Sequence, residues 1–227
     1  SAVDGVKKQV ELCIFDLDGV ICDTAKYHYL AWKELADEMQ IAFTLKDNER
    51  LKGVSRMASL DIILSLGNKE NLPEEEKLQM ADRKNTRYVE MISKMERDEI
   101  LPGVEAFLKE LRSLGIKIAL GSASKNTSII MERLGLKELF DYIVDGTMIT
   151  NTKPDPEVFV KSMERYELKP EECIVFEDAA AGIEAGHRGG MRCVGIGNKE
   201  DLPEADYLMP GFDGVRFETI RKFFEEA

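Results

Sequence analysis

The chain has 227 residues, of which 44% are hydrophobic, so it can form one large domain with an insertion or two modest domains. Its net charge of −12 argues against a nucleic acid as partner, because such a partner requires a basic surface. No apolar stretch approaches membrane-spanning length, and residues 1–9 lack the apolar run of a signal peptide, so we expect no membrane partner. Four cysteines without a CxxC pattern favour a reduced, cytoplasmic protein.

The first predicted element is a strand over residues 12–15, which leads directly into Asp16-Leu17-Asp18-Gly19. Residues two apart in a strand point to the same side, so Asp16 and Asp18 start near one small volume. Ligands bind at this end of the strands in open α/β sheets, and two adjacent carboxylates require a shared cation or proton. The pattern predicts metal-assisted acid–base or nucleophilic chemistry, and the alternative is an ordinary Asp-Gly turn.

From residue 24 to about residue 97 the sequence predicts helices and no strand. One amphipathic helix is marked by an apolar stripe of Leu30, Ala31, Leu35 and Met39. Residues 59–66 mark a second helix, and residues 74–95 supply one or two more. This segment interrupts the pattern of strands, so we interpret it as an inserted helical cap over the carboxyl edge of the sheet. The predicted domains are a core of residues 1–23 and 98–227 and a cap of residues 24–97.

From residue 103 onward, strand and helix patterns alternate, which predicts an α/β fold with a Rossmann-like parallel sheet and helices on both faces. The strand over residues 12–15 is expected to lie centrally in this sheet. The other predicted strands cover residues 116–120, 142–144, 173–176 and 191–196, and the predicted helices cover residues 104–114, 129–134, 156–166, 179–188 and 217–225.

Four segments resemble, in order, the motifs of the haloacid dehalogenase-like phosphotransferases. They are Phe15-Asp16-Leu17-Asp18-Gly19-Val20, Ile118-Ala119-Leu120-Gly121-Ser122, Lys153-Pro154 and Val175-Phe176-Glu177-Asp178. The resemblance implies a capped α/β enzyme that depends on Mg²⁺ and is a monomer. It also implies that Asp16 accepts a phosphoryl group as an aspartyl phosphate, and that Asp18 acts as general acid and base.

The same resemblance assigns the remaining core residues. Ser122 is expected to donate a hydrogen bond to the transferring phosphate, and Lys153 to supply a positive charge to it. The metal ligands are expected to be Asp16, Asp18 through its backbone carbonyl, Asp178 and Glu177. Without the family pattern, Ser122 and Lys153 could be ordinary surface residues, and the two acids after the strand could form a solvated turn.

Further segments, the last of which begins at the end of the second motif, resemble those of sugar-phosphate mutases in this family: Asp23 to His28, Leu51 to Arg56, Arg83 to Asn85 and Ser122 to Asn126. A mutase must hold a bisphosphorylated sugar in two orientations, so it needs a second anion site. Arg56 can grip that phosphate through two hydrogen bonds, assisted by groups at a helix start. The expected substrate-binding residues are Arg56, Lys52, Gly53, Lys84, Ser124, Lys125 and Asn126.

His28 and Thr24 are predicted to act where the helical cap of residues 24–97 joins the core. His28 orients Asp18 or contacts substrate in this interpretation, and the alternative is a structural histidine. Thr24 is an N-cap of the first cap helix, a hinge contact, or both. For Arg56 the alternative is a solvated surface arginine.

The expected reaction converts β-glucose 1-phosphate to glucose 6-phosphate through glucose 1,6-bisphosphate. The partners are therefore phosphorylated hexoses. A sugar-phosphate phosphatase with the same core is the first alternative. A non-enzymatic receiver-type phospho-acceptor domain is the second, but that class is shorter and has no helical insertion.

Overall fold

A parallel sheet forms the centre of the larger of two units in the computed structural model, which describes residues 9–52 and 54–226. Its strand order is β3-β2-β1-β4-β5-β6, and every neighbouring pair is parallel. The first strand is central, as predicted. The strands of the described residues are β1 (Leu12–Phe15), β2 (Lys117–Gly121), β3 (Tyr142–Val144), β4 (Cys173–Glu177), β5 (Arg192–Ile196) and β6 (Tyr207–Met209).

Helices cover both faces of this sheet because successive residues of its strands point to opposite sides. On one face, Leu12 and Ile14 share a buried cluster with Val158 and Ile183. On the other face, the Phe15 ring stacks on the Phe176 ring of the neighbouring strand, with ring centres 4.6 Å apart. It also meets the Phe107 ring of a helix edge-on, with ring centres 6.2 Å apart. The helices of this unit are α5 (Val104–Ser113), α6 (Thr127–Leu134), α7 (Glu157–Arg165), α8 (Ala180–Arg188) and α9 (Phe217–Glu226). The predicted α/β class with a Rossmann-like core is confirmed.

The second unit contains helices only within its described residues, and it has a hydrophobic core of its own. Its helices are α1 (Ala25–Glu38), α2 (Leu45–Asn48), α3 (Arg56–Leu66) and α4 (Glu74–Ile92). Leu30, at one end of the predicted apolar stripe, is 45% exposed, whereas Ala31, Trp32, Leu35 and Ala36 are buried. Ala31 and Leu35 of the predicted stripe are therefore buried as expected, and Leu30 lies outside the buried face.

Contacts divide the chain after Asp23 and after Met95. The core unit comprises the residues up to Asp23 and from Glu96 onward, and the helical unit is Thr24–Met95. The border expected after residue 97 comes two residues earlier in this division. The action of the helical unit as a cap stays a prediction. No described helix combines the length and the hydrophobicity that a membrane crossing requires.

Candidate active site

Three carboxylates meet at the carboxyl edge of the sheet. Strands β1 and β4 are neighbours, with Phe15 opposite Phe176, so Asp16 and Glu177 leave adjacent strands at the same edge. The Asp16 backbone N–H donates to the Phe176 carbonyl at 3.0 Å, which extends this pairing by one step. Oxygens of Asp16, Glu177 and Asp178 lie within 4.8 Å of one another. The sequence motifs on these two strands therefore converge in space.

Lys153 lies among these carboxylates. Its ammonium group donates to Asp16 Oδ1 at 3.0 Å, to Glu177 Oε2 at 2.9 Å and to the Gly121 carbonyl at 3.3 Å. Burial acts to lower the pKa of Lys153, but the Asp16 and Glu177 carboxylates outweigh it and raise the pKa above its ordinary value. Lys153 therefore remains charged at neutral pH, and one positive charge faces three carboxylates.

The negative charge is only partly compensated, and the pKa values of two acids reflect this. Burial and the Asp16 charge raise the pKa of Glu177 well above its ordinary value, and they raise the pKa of Asp178 to about 6. Glu177 is completely buried, and its Oε1 accepts backbone hydrogen bonds from Asp178 at 3.0 Å and Ala179 at 3.2 Å. A cluster of oxygen donors with excess negative charge fits a hard divalent cation.

Glycine at position 19 leaves room for this cluster. Its backbone is left-handed, with φ of 78°. A Cβ atom at Gly19 would lie 1.9 Å from Asp178 Oδ2, far inside van der Waals contact. The loop that follows Asp16 is held closed by two contacts with Cys22. The Gly19 N–H donates to the Cys22 carbonyl at 2.7 Å, and Asp18 pairs with Cys22 in an isolated bridge. The negative charge of Asp18 contributes to the raised pKa of Asp178.

Ser122 directly follows β2 and is almost completely buried. The Ser124 N–H donates to Ser122 Oγ at 3.2 Å, and Thr127 Oγ1 lies 3.0 Å from the same oxygen. Ser124 Oγ accepts from the Asn126 N–H at 3.1 Å, and Lys125 is exposed. These residues form a tight turn that leads into α6. The sequence reasoning missed Thr127, although a hydroxyl residue at a helix start just after Ser122 was a readable signal.

The helical unit holds a second group of predicted residues. Lys84 is buried on α4, and its Nζ lies 2.7 Å from His28 Nδ1 on α1. The ammonium lies 4.8 Å from the Trp32 ring centre and 5.1 Å from the Tyr88 ring centre. Burial and the Arg56 charge lower the pKa of Lys84 to about 8, so Arg56 and Lys84 concentrate positive charge in one region.

His28 is neutral in this arrangement. Its ring stacks on Tyr88, with ring centres 3.8 Å apart. The pKa of His28 is lowered to about 3. The larger cause is the loss of water around the ring, and the second is the positive charge of Lys84. Neutral imidazole can accept a hydrogen bond through Nδ1, so Lys84 is the donor. The spacing of four between His28 and Trp32 does place both side chains beside Lys84.

The remaining predicted residues are placed differently. Lys52 is exposed and pairs with Glu49 at 2.9 Å, and Gly53 lies outside the described residues. Thr24 is buried at the N-cap of α1, but its side chain makes no capping hydrogen bond. Thr24 therefore holds the predicted N-cap position, although without a side-chain capping bond, and its role as a hinge contact stays a prediction. Arg56 is exposed as the first residue of α3.

A second cluster of potential metal ligands is better explained as structural. His187, Cys193 and Asp206 place ligand atoms within 4.8 Å of one another. Asp206 Oδ2 accepts from the Cys193 N–H at 2.7 Å and lies 2.8 Å from His187 Nε2. The Cys193 thiol is buried and donates to the Ile183 carbonyl at 3.5 Å. These bonds join α8, β5 and the segment before β6.

Comparison with known proteins places this geometry in a family. The model for haloacid dehalogenase-like hydrolases matches residues 10–190. The chain is 40% identical over 214 residues to the β-phosphoglucomutase of Bacillus subtilis strain 168, which covers 94% of this chain and 95% of that protein. It is 30% identical over 184 residues to a phosphorylated carbohydrates phosphatase of Thermotoga maritima, which covers 80% of this chain and 82% of that protein.

A solved structure agrees with the sequence matches. The crystal structure of a β-phosphoglucomutase from Clostridium difficile superposes with a TM-score of 0.83 at 45% identity, covering 96% of this chain and 98% of that one. The family resemblance inferred from the four motifs is thus confirmed. The chain belongs to the haloacid dehalogenase-like hydrolase family, and this membership implies a metal-dependent enzyme.

Proposed function

We propose that this chain is a β-phosphoglucomutase, which converts β-glucose 1-phosphate to glucose 6-phosphate through glucose 1,6-bisphosphate. The observation that carries the proposal is the cluster of Asp16, Glu177 and Asp178 around Lys153, in a chain 40% identical to a β-phosphoglucomutase over nearly its whole length. A receiver-type domain does not account for the helical unit of Thr24–Met95.

The proposed chemistry begins at Asp16. A carboxylate oxygen of Asp16 attacks phosphorus, the bond between phosphorus and the bridging oxygen breaks, and an aspartyl phosphate forms. Asp18 donates a proton to the departing oxygen and removes one from the sugar hydroxyl that attacks in the second step. Lys153 and Ser122 hold the phosphate in line for attack.

Mg²⁺ is the cation that we propose for the acidic cluster. Oxygen donors suit this ion, which is commonly bound through a few carboxylates and a substrate phosphate. The proposed ligands are Asp16, the Asp18 carbonyl, Glu177 and Asp178. When bound, the ion neutralises charge on the transferring phosphate.

We further propose that the helical unit acts as the cap and binds the second phosphate of the bisphosphate. Arg56 and the buried Lys84 supply positive charge for this purpose. The neighbours of the Lys84 ammonium are two aromatic rings and the neutral His28 imidazole, none of which neutralises its charge. Lys52, Gly53, Ser124, Lys125 and Asn126 are proposed as further substrate contacts, Thr24 is a proposed hinge contact, and the enzyme is proposed to be a monomer.

A cytoplasmic setting is supported by the cysteines. Cys13, Cys22, Cys173 and Cys193 are all buried and free of disulfides. Burial raises the pKa of each thiol, which keeps it protonated and unreactive.

Phosphorus NMR tests the proposed function. The protein is incubated with Mg²⁺, β-glucose 1-phosphate and a trace of glucose 1,6-bisphosphate. Growth of the glucose 6-phosphate signal without inorganic phosphate supports a mutase. Release of inorganic phosphate as the main product refutes the mutase and supports the phosphatase alternative, the activity named for the relative with the lower identity of 30%.

Replacing Arg56 by Ala is expected to lower mutase turnover more than hydrolysis of an aryl phosphate. Arg56 is exposed and serves only the second phosphate in this proposal, whereas an aryl phosphate has just one. Loss of a charge-assisted hydrogen bond predicts a decrease of about tenfold to 100-fold in mutase kcat/KM. The exposed Arg50 provides the control, since Arg50→Ala removes the same charge from the same unit. Equal losses in both assays for Arg56→Ala would contradict a second anion site.

Affinity for Mg²⁺ is expected to fall as the pH drops through about 6. Burial and Asp16 raise the pKa of Asp178 from 3.8 to about 6, so protons compete with the ion in this range. About three quarters of Asp178 is protonated at pH 5.5, so affinity there should be about fourfold weaker than at pH 7.5. Isothermal titration calorimetry measures this ratio.

The same pKa fixes the sign of a stability change in the metal-free protein. Folded protein binds the Asp178 proton more tightly than the unfolded chain, so the contribution of Asp178 to stability decreases as pH rises from about 4 to about 6. Asp178→Asn removes the titrating group and serves as the control. Metal affinity that is equal at pH 5.5 and 7.5 in the unmodified protein would exclude Asp178 as a ligand.

A further inference from the structure

Glu157 binds the backbone of the loop that carries Lys153. This loop covers residues 145–156 and joins β3 to α7. Glu157 Oε1 accepts from the Thr150 N–H at 2.9 Å, and Glu157 Oε2 accepts from the N–H groups of Thr150 and Asn151 at 3.0 Å each. Hydrogen bonds to an ionised acceptor are the strong ones, so this carboxylate fixes two consecutive peptide groups. The second of them belongs to the residue two positions before Lys153.

The short segment in front of Lys153 depends on such hydrogen bonds. Thr150, Asn151 and Thr152 are all exposed, so side-chain packing does not fix their path. Ile149 on one side of them packs against the hydrophobic core, and Lys153 on the other side is only 14% exposed. The path of the backbone between these two anchored residues is therefore set where Glu157 holds it.

Glu157 itself is held on a rigid element. The next two residues of α7, Val158 and Phe159, are completely buried in the core cluster beside the sheet. Asp155 Oδ1 accepts from the Glu157 N–H at 2.9 Å, which fixes the first turn of the helix. The Phe159 ring centre lies 4.9 Å from Lys153 Nζ, so the same turn also supports the lysine directly. Glu157 thus connects the packed start of α7 to the loop.

The contacts of Glu157 require both its charge and its length. The backbone hydrogen bonds from Asn151 and Thr150 hold the pKa of Glu157 below its ordinary value, so the group is ionised at neutral pH. An ionised carboxylate only accepts, and its two oxygens match donors from two peptide groups. A glutamine offers one acceptor oxygen in their place, and an aspartate is shorter by one carbon–carbon bond of about 1.5 Å.

We propose that Glu157 is a positioning residue, which holds the loop so that the Lys153 ammonium lies where it meets the transferring phosphate. Glu157 acts through the loop backbone and not by contact with the substrate. A fixed charge stabilises a transition state only when it is already in place, and a displacement of about 1 Å can cost about 100-fold in rate. The proposal rests on the proposed function, which supplies the role of Lys153 at the phosphate.

A role confined to the helix makes a different prediction. Glu157 is the first residue of α7, where a negative charge is favoured by the helix dipole. That role requires the charge but not the length of the side chain. An aspartate would then replace Glu157 without loss, whereas a glutamine would not. The order of the two variants separates the explanations.

Glu157→Asp and Glu157→Gln form the first experiment, with kcat/KM measured for the mutase reaction and for hydrolysis of an aryl phosphate. Glu157→Asp keeps the charge but withdraws the carboxylate from the loop, and it is expected to lower both values about tenfold or more. Glu157→Gln keeps the length and one acceptor, so its loss should be smaller, about threefold. Full activity of Glu157→Asp, or a larger loss for Glu157→Gln, would overturn the proposal.

Glu164→Gln is the matched control for charge. Glu164 is an exposed residue of the same helix, so this variant removes one negative charge from α7 away from the loop contacts. It is expected to leave kcat/KM within about twofold of the unmodified protein. A loss equal to that of Glu157→Gln would show that charge on α7, and not the hold on the loop, explains the effect.

Calorimetric binding of inorganic phosphate in the presence of Mg²⁺ tests whether Glu157 acts through Lys153. Glu157→Asp and Lys153→Met should each weaken phosphate binding, and the double variant should bind no more weakly than Lys153→Met. Losses that multiply would overturn the proposal. A protein that binds phosphate and hydrolyses the aryl phosphate but forms no glucose 6-phosphate would refute the mutase function alone. The phosphate affinities of the variants would still decide on Glu157.

Discussion

Replacing Asp16 by Asn is expected to abolish the phosphorylated enzyme and to lower mutase turnover by at least about 10⁴-fold. Asn has almost the same shape as Asp, but its amide oxygen is a poor nucleophile toward phosphorus. Lys153 can still donate to the side-chain oxygen that replaces Asp16 Oδ1, now 3.0 Å from its ammonium. The loss should therefore arise from chemistry and not from a displaced lysine.

Stability separates this explanation from unfolding. Asp16 is one of three crowded carboxylates, and its charge raises the pKa of both Glu177 and Asp178. Neutralising it relieves repulsion, so urea unfolding of the metal-free Asp16→Asn variant should show unchanged or increased stability. Intact-protein mass spectrometry after acid quenching measures the phosphorylated enzyme.

The exposed Asp82 of the helical unit provides the control, because Asp82→Asn makes the same change in charge at a residue that is not part of the cluster, and it should leave turnover unchanged. Asp18→Asn should slow both half-reactions while Asp16 remains available as the phosphate acceptor. A phosphorylated Asp16→Asn protein with substantial turnover would show that another residue is the nucleophile.

The two acidic motifs were predictable because each directly follows a short run of buried residues. Such runs indicate strands, and parallel strands place their carboxyl ends at one edge of the sheet. Asp16 and Glu177 follow β1 and β4 in this way. The strand β6 (Tyr207–Met209) was not predicted, although the equally short strand β3 at the other edge of the sheet was.

Lys153 illustrates what periodicity could not predict. It belongs to neither a strand nor a helix, and it meets Asp16 across 137 positions of sequence. Hydrophobic patterning carries no information on such a contact, so Lys153 was identified only through the resemblance to family motifs. The burial of Lys84 has a similar origin, because it depends on Trp32 and Tyr88 from two packed helices.

Thr127 and Thr24 show the limits of reading hydroxyl residues. Both stand at helix starts, where Ser and Thr commonly cap the backbone. Thr24 occupies the N-cap without a side-chain capping bond, whereas Thr127 directs its hydroxyl to Ser122 and Ser124. The difference depends on side-chain rotamers that the sequence pattern does not encode.

Replacing Gly19 by Ala is expected to weaken Mg²⁺ binding and mutase turnover by at least about 100-fold. The new Cβ would lie 1.9 Å from Asp178 Oδ2 and 2.4 Å from its Cγ, so the Asp178 side chain must move. In the proposed site this carboxylate is a metal ligand, and displacing a ligand costs affinity even when the fold is preserved. Calorimetric titration with Mg²⁺ measures this loss before any substrate is added.

Gly115→Ala is a closely matched control. Gly19 and Gly115 have nearly the same left-handed backbone, with φ of 78° and 74°, but nothing lies within 4 Å of a Cβ at Gly115. Both variants carry the strain of a left-handed alanine, about 1–2 kcal/mol of stability. Only Gly19→Ala adds the collision with Asp178. Equal metal affinities for the two variants would therefore show that backbone strain explains the effect and that Asp178 does not hold the ion.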